Sequence, residues 1–150
     1  LRPEPQSLLC LDVGKKRVGL AGCDSLGITV TQLPALHRKS FEEDAKVLKG
    51  YCNYRKVTGL VVGIPLDENG LITKQSKYCA NYGRKMAKAL DLPIAWVNEH
   101  SSTWEARKRF KLESDRTGQL DSASAAVLLE QWLCEGSKPT QPSSNKLPKP

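Results

Sequence analysis

The sequence predicts an α/β protein built on a single mixed β-sheet. Three observations carry this: three β-rich runs joined by very short turns, then apolar strands alternating with helical patterns, and a near-continuous apolar run at the centre of that alternation. The 150 residues suit one domain with a real core.

The elements follow in order. Residues 7–13 and 17–23 read as strands joined by the tight Gly14-Lys15-Lys16 turn. Asp24-Ser25-Leu26-Gly27 is a second turn, and 28–33 is expected to be a third strand. Strands linked this closely must be antiparallel neighbours. Ser40-Phe41-Glu42-Glu43 has the spacing of a helix capping box, and Phe41, Ala45, Leu48 and Cys52 recur behind it at helical spacing. Residues 58–64 form the apolar run expected of a central strand covered on both faces. Pro65 ends it, and a polar loop is expected to reach about Gln75. Cys79, Tyr82, Met86 and Ala89 mark an amphipathic helix, and 93–97 a short fifth strand. Ser102-Thr103-Trp104-Glu105 opens a basic helix to about Lys111, and a last helix is expected from about Asp121 to Cys134. The order is βββ, then alternating helices and strands, ending in helix, with no internal repeat. The expected domain is 7–135, between a disordered 1–6 and a disordered Ser/Pro/Lys-rich tail from 136 to 150.

Composition narrows the function classes. The net charge is +7, but Lys138, Lys146 and Lys149 lie in the tail, and the remaining excess of four is a mild preference for nucleic acid. Five cysteines without a CxxC pair read as thiols of a reducing compartment. That is the cytoplasm, or an organelle matrix (plastid or mitochondrion) if a targeting peptide lies outside this chain. The chain begins at Leu1, so its lack of a targeting segment carries no information. No run is long enough to span a membrane, and two histidines are too few for a histidine-rich zinc site. A monomer or weak homodimer is expected.

Carboxylates are the candidate chemistry. Asp12 shares a strand face with Leu8 and Cys10, where burial of an unpaired charge is costly. Turn formation two residues before Gly14 explains it equally well. Asp121 falls on the same helical arc as Ala125, Leu128 and Trp132, and an N-cap role accounts for it equally. Glu99 follows the fifth strand, at the end where open α/β sheets bind ligands. Taken alone it fits a solvated loop glutamate better. Asp67 and Glu68 are rivals at another carboxyl end, but Asn69-Gly70 beside them favours a turn. Lys15, Lys16 and Arg17 have the best claim to phosphate, because the turn sets them beside Asp12. The cations of the two basic helices, Arg84, Lys85 and Lys88, then Arg107, Lys108, Arg109 and Lys111, are solvated faces by default.

Four blocks together resemble one family. Asp12-Val13-Gly14-Lys15-Lys16-Arg17-Val18-Gly19 is similar to the opening motif of the YqgF family, the Holliday-junction-resolvase-like nucleases. Gly63-Ile64-Pro65-Leu66, with Gly70 and Gln75 behind it, resembles its second block. Asn98-Glu99-His100-Ser101-Ser102-Thr103 resembles its Asp-Glu-Arg-x-Thr-Thr block, and the run from Leu120 to Leu129 its closing Asp-x-x-Ala-Ala helix. The blocks come in the family's order and span nearly the whole chain without its tail.

The resemblance implies a ribonuclease-H-like fold with Asp12, Glu99 and Asp121 as the acidic triad, holding Mg²⁺ or Mn²⁺ for phosphodiester cleavage. It implies substrate contact by Lys16 and Arg17; Lys15, Thr103 and Arg107 are further candidates. Structured RNA, in particular a ribosomal RNA precursor, is the implied substrate, with branched DNA as a second. Three departures stand out: Asn98 in place of Asp, His100 in place of Arg, and a shorter, less basic segment between Phe110 and Asp121. They motivate an alternative, a nucleic-acid-binding module of the same fold with little or no catalysis. A third reading, an actin-like ATPase phosphate loop, meets the objection that such proteins need two lobes.

Overall fold

A computed structural model describes residues 7–99, 122–135 and 138–142. Among them run β1 (Leu8–Val13), β2 (Arg17–Cys23), β3 (Val30–His37), α1 (Phe41–Arg55), β4 (Gly59–Pro65), α2 (Lys74–Leu90), β5 (Ile94–Glu99) and α3 (Ala123–Glu135). The strands form one sheet in the order β3-β2-β1-β4-β5. The β1–β2 and β2–β3 pairs are antiparallel, while β1–β4 and β4–β5 are parallel. The expected antiparallel edge thus continues into strands joined by helical crossovers.

Alternation of side chains divides the core in two. Leu9, Leu11, Leu60, Val62 and Ile64 pack with Leu48 of α1 and with Tyr82 and Met86 of α2. On the other face Leu8, Cys10, Val61, Ala95 and Val97 pack with Ala125, Leu128, Leu129 and Trp132 of α3. The close approach of α3 depends on Gly63, where an added Cβ would lie 2.5 Å from Leu128 Cδ1.

Several boundaries differ from expectation, each for a local reason. The third strand begins at Val30 rather than Ile28 and runs on to His37. Asp24 draws the preceding residues into a turn, its carboxylate accepting from the N–H groups of Ile28 (2.8 Å) and Thr29 (3.2 Å). Pro34 is tolerated because β3 is an edge strand and the ladder shifts register just there. Helix α2 starts at Lys74, not beyond Gln75: Thr73 and Ser76 make a reciprocal capping box with serine in the place usually held by Glu or Gln. Ser40 caps α1 as expected, accepting from Glu43 N–H at 3.1 Å. The fifth strand continues to Glu99, which pairs with Pro65, so Glu99 ends the strand instead of following it. In the tail expected to be disordered, residues 138–142 are described, and Thr140 exchanges two backbone hydrogen bonds with Ile94 at the outer edge of β5. The Ser102–Glu105 capping box, the basic helix behind it and Asp121 lie outside the described residues.

Candidate active site

β1 carries Asp12 on its α3 face, following Leu8 and Cys10 two residues apart, and pairs it with Gly19 of β2. Directly beyond it the chain reverses. Gly14 N–H donates to Arg17 C=O at 2.8 Å, leaving Lys15 and Lys16 at the tip. This closure needs glycine, because a Cβ at Gly14 would lie 2.8 Å from that same oxygen. Asp12, Val13, Gly14, Lys15, Lys16, Arg17 and Gly19 line an open cleft of about 300 Å³. The half-buried carboxylate and three exposed cations therefore share one surface.

β5 supplies the second acid. Ala95 and Val97 pack on the α3 side, so the alternation brings Glu99 to the same face as Asp12. Leu11 pairs with Val62, and Glu99 with Pro65. Asp12 thus stands level with Gly63, and Glu99 two residues farther toward the carboxyl ends of the parallel strands. Only β4 separates them, about 10 Å between the outer backbones at a strand spacing of about 4.8 Å. Their fields meet at the Cys79 thiol, which is pushed up to about 11 by burial first, then by Asp12 and, more weakly, by Glu99. That thiol donates to Val13 C=O at 3.5 Å.

The third acid, Asp121, lies outside the described residues, but its neighbour does not. Ser122 is fully buried; its Oγ donates to Leu33 C=O and accepts from Leu20 N–H at 3.2 Å. The start of α3 is thereby tied to β2 and β3, and Leu20 adjoins Gly19, the partner of Asp12. Farther along α3, Gln131 Nε2 donates to Asn98 C=O at 3.0 Å, binding the helix to the end of β5 beside Glu99.

Of the two rival acids, Asp67 is accounted for. Asp67 Oδ1 accepts from Asn69 N–H (2.9 Å) and Leu71 N–H (2.8 Å), the turn role expected from Asn69-Gly70. On α2, Arg84 lies over the Trp96 ring (5.3 Å) and Lys85 over Phe41 (4.2 Å). These cations belong to the face opposite Asp12 and Glu99. Asn98 also alternates to that opposite face, behind Trp96, so its departure from Asp removes no charge from between the acids. Thr103, Arg107 and His100 lie outside the described residues.

One cation escaped the sequence reading. Arg38, just past β3, donates through its backbone N–H to Lys16 C=O (2.9 Å) and through Nη1 to Gly14 C=O (2.7 Å). Nothing in its position marks it, since these contacts join segments more than twenty residues apart.

A five-stranded mixed sheet of this order and pairing, with Asp12 and Glu99 toward the carboxyl ends of its parallel strands, is a ribonuclease H-like fold. The chain resembles in fold the Thermus thermophilus RuvC structure, alone and in complex with a Holliday junction substrate. Each has a TM-score of 0.52, with 11% and 12% identity, over 85% of this chain and 93% of RuvC. Residues 6–135 match the model of the RuvX Holliday junction resolvase family, and the chain belongs to that family. Among its relatives, a protein of Prochlorococcus marinus (strain MIT 9313) named "Putative pre-16S rRNA nuclease" is 62% identical over 90% of this chain and 84% of its own length. One of the same name from Synechococcus sp. (strain CC9605) is 57% identical over 97% and 94%.

Proposed function

We propose that this protein is a divalent-metal-dependent nuclease that hydrolyses phosphodiester bonds in the precursor of 16S ribosomal RNA. The observation that carries the reading is the cleft in which Asp12 meets Lys15, Lys16 and Arg17, with Glu99 on the same sheet face. Family membership and the relatives' common name support the nuclease and its RNA.

Among the described residues no three His, Cys, Asp or Glu side chains cluster to hold an ion. The proposed set is Asp12 and Glu99 completed by Asp121, one residue before the anchored Ser122. An all-carboxylate set is a hard oxygen donor set, which suits Mg²⁺ or Mn²⁺ rather than zinc. An ion held by these carboxylates would supply Lewis-acid polarisation of a phosphoryl oxygen and easier deprotonation of an attacking water. Lys15, Lys16 and Arg17 hold the flanking phosphates, Arg17 with a planar fork suited to bidentate contact. Thr103 and Arg107 are proposed to extend the substrate contact. Asp12 and Glu99 are half-buried, which strengthens their pull on a cation.

Among the described residues no helix is long and apolar enough to cross a membrane. The five cysteines are free thiols, which favours work in a reducing compartment, the cytoplasm or an organelle matrix. We propose that it works there as a monomer or weak homodimer.

Cleavage of 16S precursor RNA and of four-way-junction DNA with Mg²⁺ or Mn²⁺ tests the proposal. Asp12→Asn is expected to slow RNA cleavage more than about 100-fold, since even the outer partners of metal ligands are worth about 10–100-fold. Equal cleavage by the variant, or none of either substrate by the wild type, contradicts it. Salt-sensitive RNA binding without cleavage would favour a binding module instead.

A further inference from the structure

Among the described residues, Arg38 bonds to the Gly14–Arg17 turn from outside it, next to the β2–β3 ladder in which Arg17 pairs with His37. Arg38 serves two of its carbonyls, Lys16 C=O through the backbone N–H and Gly14 C=O through Nη1. Its guanidinium is itself fixed. It lies 4.6 Å from the centre of the Tyr82 ring and 5.5 Å from that of Tyr78, and Nη1 also donates to the Tyr78 hydroxyl. Tyr82 in turn donates to Asp44 Oδ2 at 3.4 Å, and the other oxygen of this buried carboxylate accepts from Lys39 N–H at 2.9 Å. A chain of contacts thus runs from the turn through Arg38 to α2 and α1.

We propose that Arg38 is a positioning residue, which sets the turn so that Lys15, Lys16 and Arg17 meet nucleic-acid phosphates as one surface. This rests on the proposed function for its substrate. Three consecutive cations repel one another, and a hairpin tip left to itself spreads them apart. Arg38 opposes this through Nη1, whose two hydrogens go to the Gly14 carbonyl and the Tyr78 hydroxyl. Lysine in its place keeps the charge and loses the fork and the stacking plane.

Amide hydrogen exchange and RNA binding together test the assignment, on the full chain without divalent metal. In Arg38→Ala the Gly14 amide, bonded to Arg17, is expected to exchange at least about tenfold faster while the Leu9 amide in β1 is unchanged. The Kd for 16S precursor RNA is expected to rise about tenfold. Arg38→Lys is expected to restore neither, and it serves as the second variant should the alanine form unfold early in a thermal melt. Unchanged Gly14 exchange overturns the proposal, as does faster exchange with an unchanged Kd. Recovery of binding in Arg38→Lys while Gly14 still exchanges fast also overturns it, since Arg38 would then act by charge alone. If the wild type binds no RNA, the proposed function fails instead, and the exchange result alone decides whether Arg38 sets the turn.

Discussion

Asp12 shows how a single side chain gains meaning from its face of the sheet. In the sequence it was as much a turn former as a ligand. With Leu8 and Cys10 buried on the same face and Lys15 to Arg17 around one cleft, it is a half-buried acid beside three cations. Its field reaches two thiols, raising Cys10 and Cys79 after burial has already done so. For Cys79 the consequence for stability has a definite sign. The folded value of about 11 exceeds the reference of 9.0, so folding favours the neutral thiol. Its contribution is full below pH 9 and is lost as pH rises from 9 toward 11. Urea unfolding across that range should show the wild type losing more stability than Cys79→Ala; parallel losses would contradict the assignment. Arg38 is the opposite case to Asp12. Its importance was not legible, because a cation two residues before a helix cap looks solvated until Gly14, Tyr78 and Tyr82 are brought to it.

At the scale of elements, legibility followed how far each signal lay from its cause. β1, its turn and β2 were readable because pattern and turn residues are adjacent, and β4 because an apolar run of that length suits a strand covered on both faces. The third strand was misplaced because Asp24, four residues before Ile28, captures the backbone that β-branched residues otherwise suggest is strand. The fifth strand read as too short because Asn98 and Glu99 are polar, yet pairing with Ile64 and Pro65 extends it through them. That extension puts Glu99 on the α3 face. The packing of α3 offers its own test at Gly63, where a methyl group must displace Leu128. Gly63→Ala is expected to destabilise the protein by about 1–3 kcal/mol, the usual range for overpacking. Denaturant unfolding measures it, and a neutral or stabilising result would mean that α3 has freedom to shift.

For the whole molecule, the antiparallel half of the sheet and the parallel half have different tasks. The first makes the cationic turn, held by Arg38; the second ends in Glu99; α3 covers both and begins next to Asp121. The sequence made the acids legible as candidates through their places on predicted elements and then through a family resemblance, whereas the sharing of one sheet face by Asp12 and Glu99 depends on strand order and register, which no local pattern encodes. The most direct measurement is paramagnetic broadening of backbone amides on titrating Mn²⁺ into the isotopically labelled protein. The amides at Asp12, Glu99 and Asp121 should broaden together at low metal and recover in Asp12→Asn. Broadening centred elsewhere, or the same broadening in the variant, would contradict a cation shared by these three acids.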